Sequence, residues 1–110
     1  MVPIVTIARA HFILFVRDQA ASTSFFRAVL ALEPTLDVPG MTEFTLSTQG
    51  VLGLMPEAGV VRLLGDAHDP ARGRGSVRGE LYLIVDDPAV YHARAIAAIG
   101  TLPAATAEAE

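Results

Sequence analysis

Ala10-His11-Phe12-Ile13-Leu14-Phe15-Val16-Arg17-Asp18 is the stretch on which the reading of the whole chain turns. Six of its residues in a row, from Phe12 to Arg17, carry one polar group only, and that group comes last. Strand side chains alternate, so His11, Ile13 and Phe15 share one face and Phe12, Leu14 and Val16 the other. Apolar residues on both faces predict a strand covered on both sides. Asp18 is suited to cap a helix, because its carboxylate accepts from free backbone N–H groups of the first turn. The helix is expected to run to about residue 32, with Phe25, Phe26, Val29 and Leu30 on its buried face. Pro34 stops it, since the residue ahead of a proline avoids the α conformation.

Outward from this unit, residues 35–38 and 42–47 read as strands around a Pro39-Gly40 turn, with Phe44 and Leu46 on one face. Gln49-Gly50 predicts a hairpin turn and residues 51–55 an apolar strand. The first half therefore reads β-α-β-β-β. Glu57-Ala58-Gly59 reads as a turn, residues 60–64 as a short apolar patch, and residues 65–79 as a glycine- and charge-rich loop. Residues 80–85 form a further expected strand, with Leu81, Leu83 and Val85 on one face. Asp86-Asp87-Pro88 starts a second helix that Gly100 ends. Residues 101–110 read as a frayed tail. The expected core is Phe12, Leu14, Val16, Phe25, Phe26, Val29, Leu30, Leu52, Leu54, Leu81 and Leu83.

The 110 residues suit one domain, and 52% hydrophobic against 18% charged residues excludes a disordered chain. A net charge of −4 gives no general affinity for nucleic acid or an anionic membrane. No apolar run reaches the ~20 residues that cross a bilayer. Without cysteine there is no disulfide and no thiolate metal site. Together with an N-terminus that lacks signal-peptide character, this predicts a cytoplasmic protein.

A strand, an aspartate and a helix occur twice, at residues 11–32 and 80–99. His11 lies seven residues before Asp18, and Glu80 six before Asp86. The text HFILFVRDQAASTSFFRAVLALEP, the strand pair ending in VLGLMP, and GELYLIVDDPAVYHARAIAAIG resemble the vicinal oxygen chelate superfamily, the glyoxalase/bleomycin resistance/dioxygenase group. The resemblance covers about residues 10 to 100. It implies an α+β fold, with a βαβββ module of the glyoxalase/bleomycin-resistance type over residues 10–56 and a partial second module over 80–100. The ferredoxin-like sandwich is the alternative that needs no family.

In the family a divalent metal (zinc, nickel, manganese or iron) or a bare small molecule occupies a cleft between modules. By position, His11 and Glu80 match metal ligands, and Glu80 is also the candidate catalytic carboxylate that moves a proton beside a carbonyl. Gly53 stands where a further carboxylate is often found, so the site is incomplete in this chain. The plainer readings are a strand-end histidine bonded to backbone and an exposed Glu80 paired with Arg78. Arg72, Arg74 and Arg78 are either a solvated loop or holders of an anionic substrate group. Three functions follow from the resemblance: a metal-dependent lyase, isomerase or dioxygenase; a non-catalytic binder of an antibiotic-like molecule; or a truncated, inactive member. An unfinished second module leaves an unpaired edge and predicts a homodimer.

Overall fold

The computed structural model describes residues 7–76 and 79–100. The sheet elements are β1 (Ala10–Val16), β2 (Leu36–Val38), β3 (Met41–Thr45) and β4 (Gly50–Pro56); the helices are α1 (Gln19–Leu30), α2 (Glu57–Leu64) and α3 (Pro88–Ile99). The fold is α+β, with one mixed sheet in the order β1-β4-β3-β2. β2, β3 and β4 form an antiparallel meander, while β1 runs parallel to β4 with Ile13 opposite Gly53. A ferredoxin-like sandwich has a helix between its third and fourth strands and its first strand inside the sheet. Here β4 follows β3 through a hairpin and β1 is at the edge.

The register fixes which residues share a face. Phe12, Leu14 and Val16 of β1, Leu52 and Leu54 of β4, and Thr42 and Phe44 of β3 line one side. α1 lies on that side. Asp18 caps it as expected, its carboxylate accepting from the Ala21 N–H at 3.0 Å. Ala31, at φ 54°, ends it in the left-handed region. The core gathers here: Val16, Leu30, Phe44, Leu52 and Leu54 are buried, with Leu14, Phe26, Leu46, Leu81 and Leu83 packed against them. The rings of Phe25 and Phe26 meet edge to face at 5.2 Å.

Small polar residues let α1 approach the sheet. Ser22 and Thr23 are buried on the helix, and the Thr23 hydroxyl meets that of Thr42 at 2.9 Å. Gln19 Nε2 donates to the Thr42 hydroxyl and to the Val38 carbonyl, and Gln19 Oε1 accepts from the Gly40 N–H. One glutamine thus ties the start of α1 to the β2–β3 turn, where Gly40 takes φ 96°. Thr42→Val keeps the shape but leaves buried partners unmet. It is expected to cost about 1–3 kcal/mol in urea unfolding, with an unchanged midpoint as the refuting result.

Three expectations need correction. β1 is not covered on both faces: as an edge strand it leaves Phe12 at 59%, Ile13 at 43% and Phe15 at 42% exposure, so Phe12 is not core. Residues 57–64 are not a turn and a patch but the helix α2, in which Gly59 lies close enough to Met55 and Pro56 for an added Cβ to touch both. Residues 80–85 do not form a strand. Leu81 and Leu83 turn to the core and Tyr82 and Ile84 to solvent, as in a strand, but no ladder takes them in. α3 follows, capped by Asp87, and packs on α1, where Arg94 donates to the Val29 carbonyl. The tail expected over residues 101–110 lies outside the described residues.

Candidate functional site

The second face of the sheet, opposite α1, carries His11, Ile13 and Phe15 from β1, Val51, Gly53 and Met55 from β4, Met41, Glu43 and Thr45 from β3, and Leu36 and Val38 from β2. Ile13, Phe15, Leu36 and Val38 are each between 38% and 45% exposed, a stretch of apolar surface of the kind that marks ligand or partner contact. His11 is placed there by the alternation of β1. Its Nδ1 lies 3.4 Å from Oε2 of Glu43, an ion pair when the imidazole is protonated. β4 runs between these two residues, and Gly53 opposes both Ile13 and Glu43. A Cβ at Gly53 would stand 3.2 Å from Cγ1 of Ile13 and 3.3 Å from Sδ of Met41. The glycine therefore lets the Ile13 and Met41 side chains close over β4 beside the pair.

His11 is thus brought to Glu43. Glu80 is exposed, and its segment packs with Leu81 and Leu83 on the α1 side of the sheet, away from the His11 face. Among the described residues no ion pair or hydrogen bond joins Glu80 to His11. Nor do any three His, Asp or Glu side chains among them gather closely enough to hold a metal ion. Glu43 was not singled out by the sequence. Its signal was the alternation of residues 42–47, which set it opposite Phe44, but its nearness to His11 depends on the strand order.

Among the described residues, the loop arginines Arg72 and Arg74 are occupied. Arg74 pairs with Glu57, a nearly buried carboxylate in the first turn of α2, and Arg72 donates to the Ala67 carbonyl. The first ties the loop to α2, and the second joins its two short 3₁₀ turns to each other. Arg78 lies outside the described residues. Two depressions lie elsewhere. One of about 430 Å³ is lined by Leu30, Leu46, Leu83, Val90 and Tyr91, with Asp86 and Asp87 at its rim. Another of about 480 Å³ is lined by Gln19, Thr23, Arg27 and Asp37. Neither includes His11, and the second contains residues already committed to the Gln19 network and to the Arg27–Glu33 ion pair.

Comparison of the chain with protein-family models, with curated proteins and with solved structures finds no match. No helix among the described residues is long and apolar enough to cross a membrane.

Proposed function

We propose that this chain is a small-molecule-binding protein of the glyoxalase/bleomycin-resistance kind, its ligand held on the second face of the sheet. The carrying observation is a βαβββ unit whose less covered sheet face sets a histidine–glutamate pair among exposed apolar side chains. Ile13, Phe15, Leu36 and Val38 offer contact to an apolar ring or chain, while the imidazole and carboxylate orient a polar group on it. The sequence resemblance over residues 10–100 supports the same reading, with residues 80–100 as the partial second module. The assembled form in this reading is a homodimer.

A metal-dependent lyase, isomerase or dioxygenase is the second reading, and the closeness of His11 and Glu43 favours it. In its family form His11 and Glu80 are the ligands and Glu80 moves the proton. The donor set does not fit: structural zinc takes four ligands and catalytic zinc three from protein, and this face supplies one imidazole and one carboxylate. No chemical step is therefore routed through a metal.

The test titrates anilinonaphthalene sulfonate, an apolar fluorescent anion, into the folded protein. Phe15→Ala is expected to weaken its binding roughly tenfold through lost aromatic contact, while Leu63→Ala, on α2, leaves it unchanged. Equal affinity in the parent and in Phe15→Ala would remove the ligand from this face. Stoichiometric zinc, nickel, manganese or iron in the purified protein would replace the binder with the enzyme.

A further inference from the structure

The groove of about 430 Å³ beside α3 has apolar walls and an acidic rim. It lies between the end of α1, Leu46 just past β3, residues 83–87 and the start of α3. Leu30 belongs to the core cluster, and Leu46 and Leu83 pack against it, so these three form the inner wall. Leu32 and Val90 are 39% and 40% exposed and stand toward the opening. A concave apolar space of a few hundred cubic ångströms with a few polar groups at its edge is the usual form of a small-molecule site.

Charge decides which molecule suits it. Among the described residues that line the groove, only Asp86 and Asp87 are charged. Asp87 caps α3, its Oδ1 accepting from the Ala89 N–H at 3.1 Å. Among the described residues Asp86 meets no hydrogen-bond or ion-pair partner. The arginine of α3, Arg94, is engaged elsewhere. Its guanidinium lies over the Tyr91 ring at 4.9 Å and donates to the Val29 carbonyl of α1. Arg27 of α1 is paired with Glu33. The positive end of α3 amounts to about half a charge, less than the two carboxylates together carry. An anion is therefore repelled from the rim. A neutral apolar molecule gains only the walls, whereas a cation with an apolar body gains the walls and the carboxylates.

We propose that this groove binds an amphipathic cation, a primary amine carried on an aryl or alkyl body of about ten heavy atoms. The body lies against Leu30, Leu46, Leu83 and Val90, and the ammonium donates to the Asp86 carboxylate. The site is on the α1 side of the sheet, so it is separate from the ligand face that carries His11 and stands independently of it.

The experiment is amide NMR of the full chain at physiological ionic strength, titrated with 4-phenylbutylamine. Its uncharged counterpart, 4-phenylbutanol, and its anionic counterpart, 4-phenylbutyrate, are titrated in parallel. The amine is expected to bind saturably, with a dissociation constant on the order of a millimolar, and to move the amides of residues 83–87, 90 and 91. The alcohol is expected to bind roughly fivefold more weakly, the size of an exposed ion pair, and the anion more weakly still. Asp86→Asn, which leaves the Asp87 cap in place, should bring the amine down to the affinity of the alcohol. It should leave the alcohol's affinity and the unfolding midpoint as in the parent. Equal binding of amine and alcohol by the parent overturns the proposal, as does an amine that binds Asp86→Asn as tightly as the parent. Absence of saturable binding, or shifts confined to residues 11, 13 and 15 on the other face, overturns it too.

Discussion

Phe44→Ala is expected to lower the free energy of unfolding by about 3–5 kcal/mol. Phe44 is wholly buried in the middle strand pair, opposite Leu52 and on the side covered by α1. Removing its ring takes away dispersion contacts and opens a cavity. Leu52 and Leu54, rigid in the central strand, cannot collapse far to fill it. A chain of this size has ~5–15 kcal/mol of stability in all, so the variant stands near its limit at room temperature. Phe26→Ala is the informative comparison. Phe26 is only partly buried, at the rim of the same cluster, and should cost less. Urea titration of the two variants checks both values. A Phe44→Ala loss below about 1 kcal/mol would mean that the register of β3 against β4 is wrong.

Gly53→Glu is expected to raise the affinity of the sheet face for a metal ion. Residue 53 opposes both Ile13 and Glu43, so a carboxylate there joins the side of the sheet that already holds the His11–Glu43 pair. The new Cβ would stand 3.2 Å from Cγ1 of Ile13 and 3.3 Å from Sδ of Met41, so both side chains must shift by a few tenths of an ångström to admit it. One imidazole and two carboxylates on one face make the three-protein-ligand set that leaves a zinc ion an open position. Calorimetric titration with zinc should show affinity raised by roughly a hundredfold over the parent, and His11→Ala in the same background should remove the gain. Equal zinc binding by parent and variant would show that residue 53 does not share a site with His11.

What the sequence showed of the fold, and what it hid, follow from range. The β-α-β-β-β order, the Asp18 cap and the second helix behind Asp87 were all legible, because caps and periodicity are local. The edge position of β1 was not. Its alternation of apolar residues is the same whether a strand is inside a sheet or at its border, and only the strand order tells them apart. For that reason the pattern of β1 does not show that Phe12 is exposed, nor that Glu43 is the partner of His11. Residues 57–64 read as a turn and an apolar patch because Pro56 and Gly59 punctuate the segment, yet they form α2. Burial of Glu57, Gly59 and Val60 against the body outweighs the weak helix propensity of glycine. The segment over 80–85 keeps the alternation of a strand without becoming one, since a ladder needs a neighbour that no local pattern supplies.

The parallel pairing of β1 with β4 has a kinetic consequence. β1 is made first, yet its sheet neighbour begins at Gly50. Until that strand has been synthesised, the chain holds an apolar run with no sheet to join. α1 and the β2–β3 hairpin, whose contacts are short-range, can form in the meantime. Closure of the sheet then requires a long loop to be fixed in one step, and it is expected to be the slow event of folding. Nascent chains that stall before residue 50 display Phe12, Leu14 and Val16 unshielded, and chaperone capture should be concentrated in that window of synthesis.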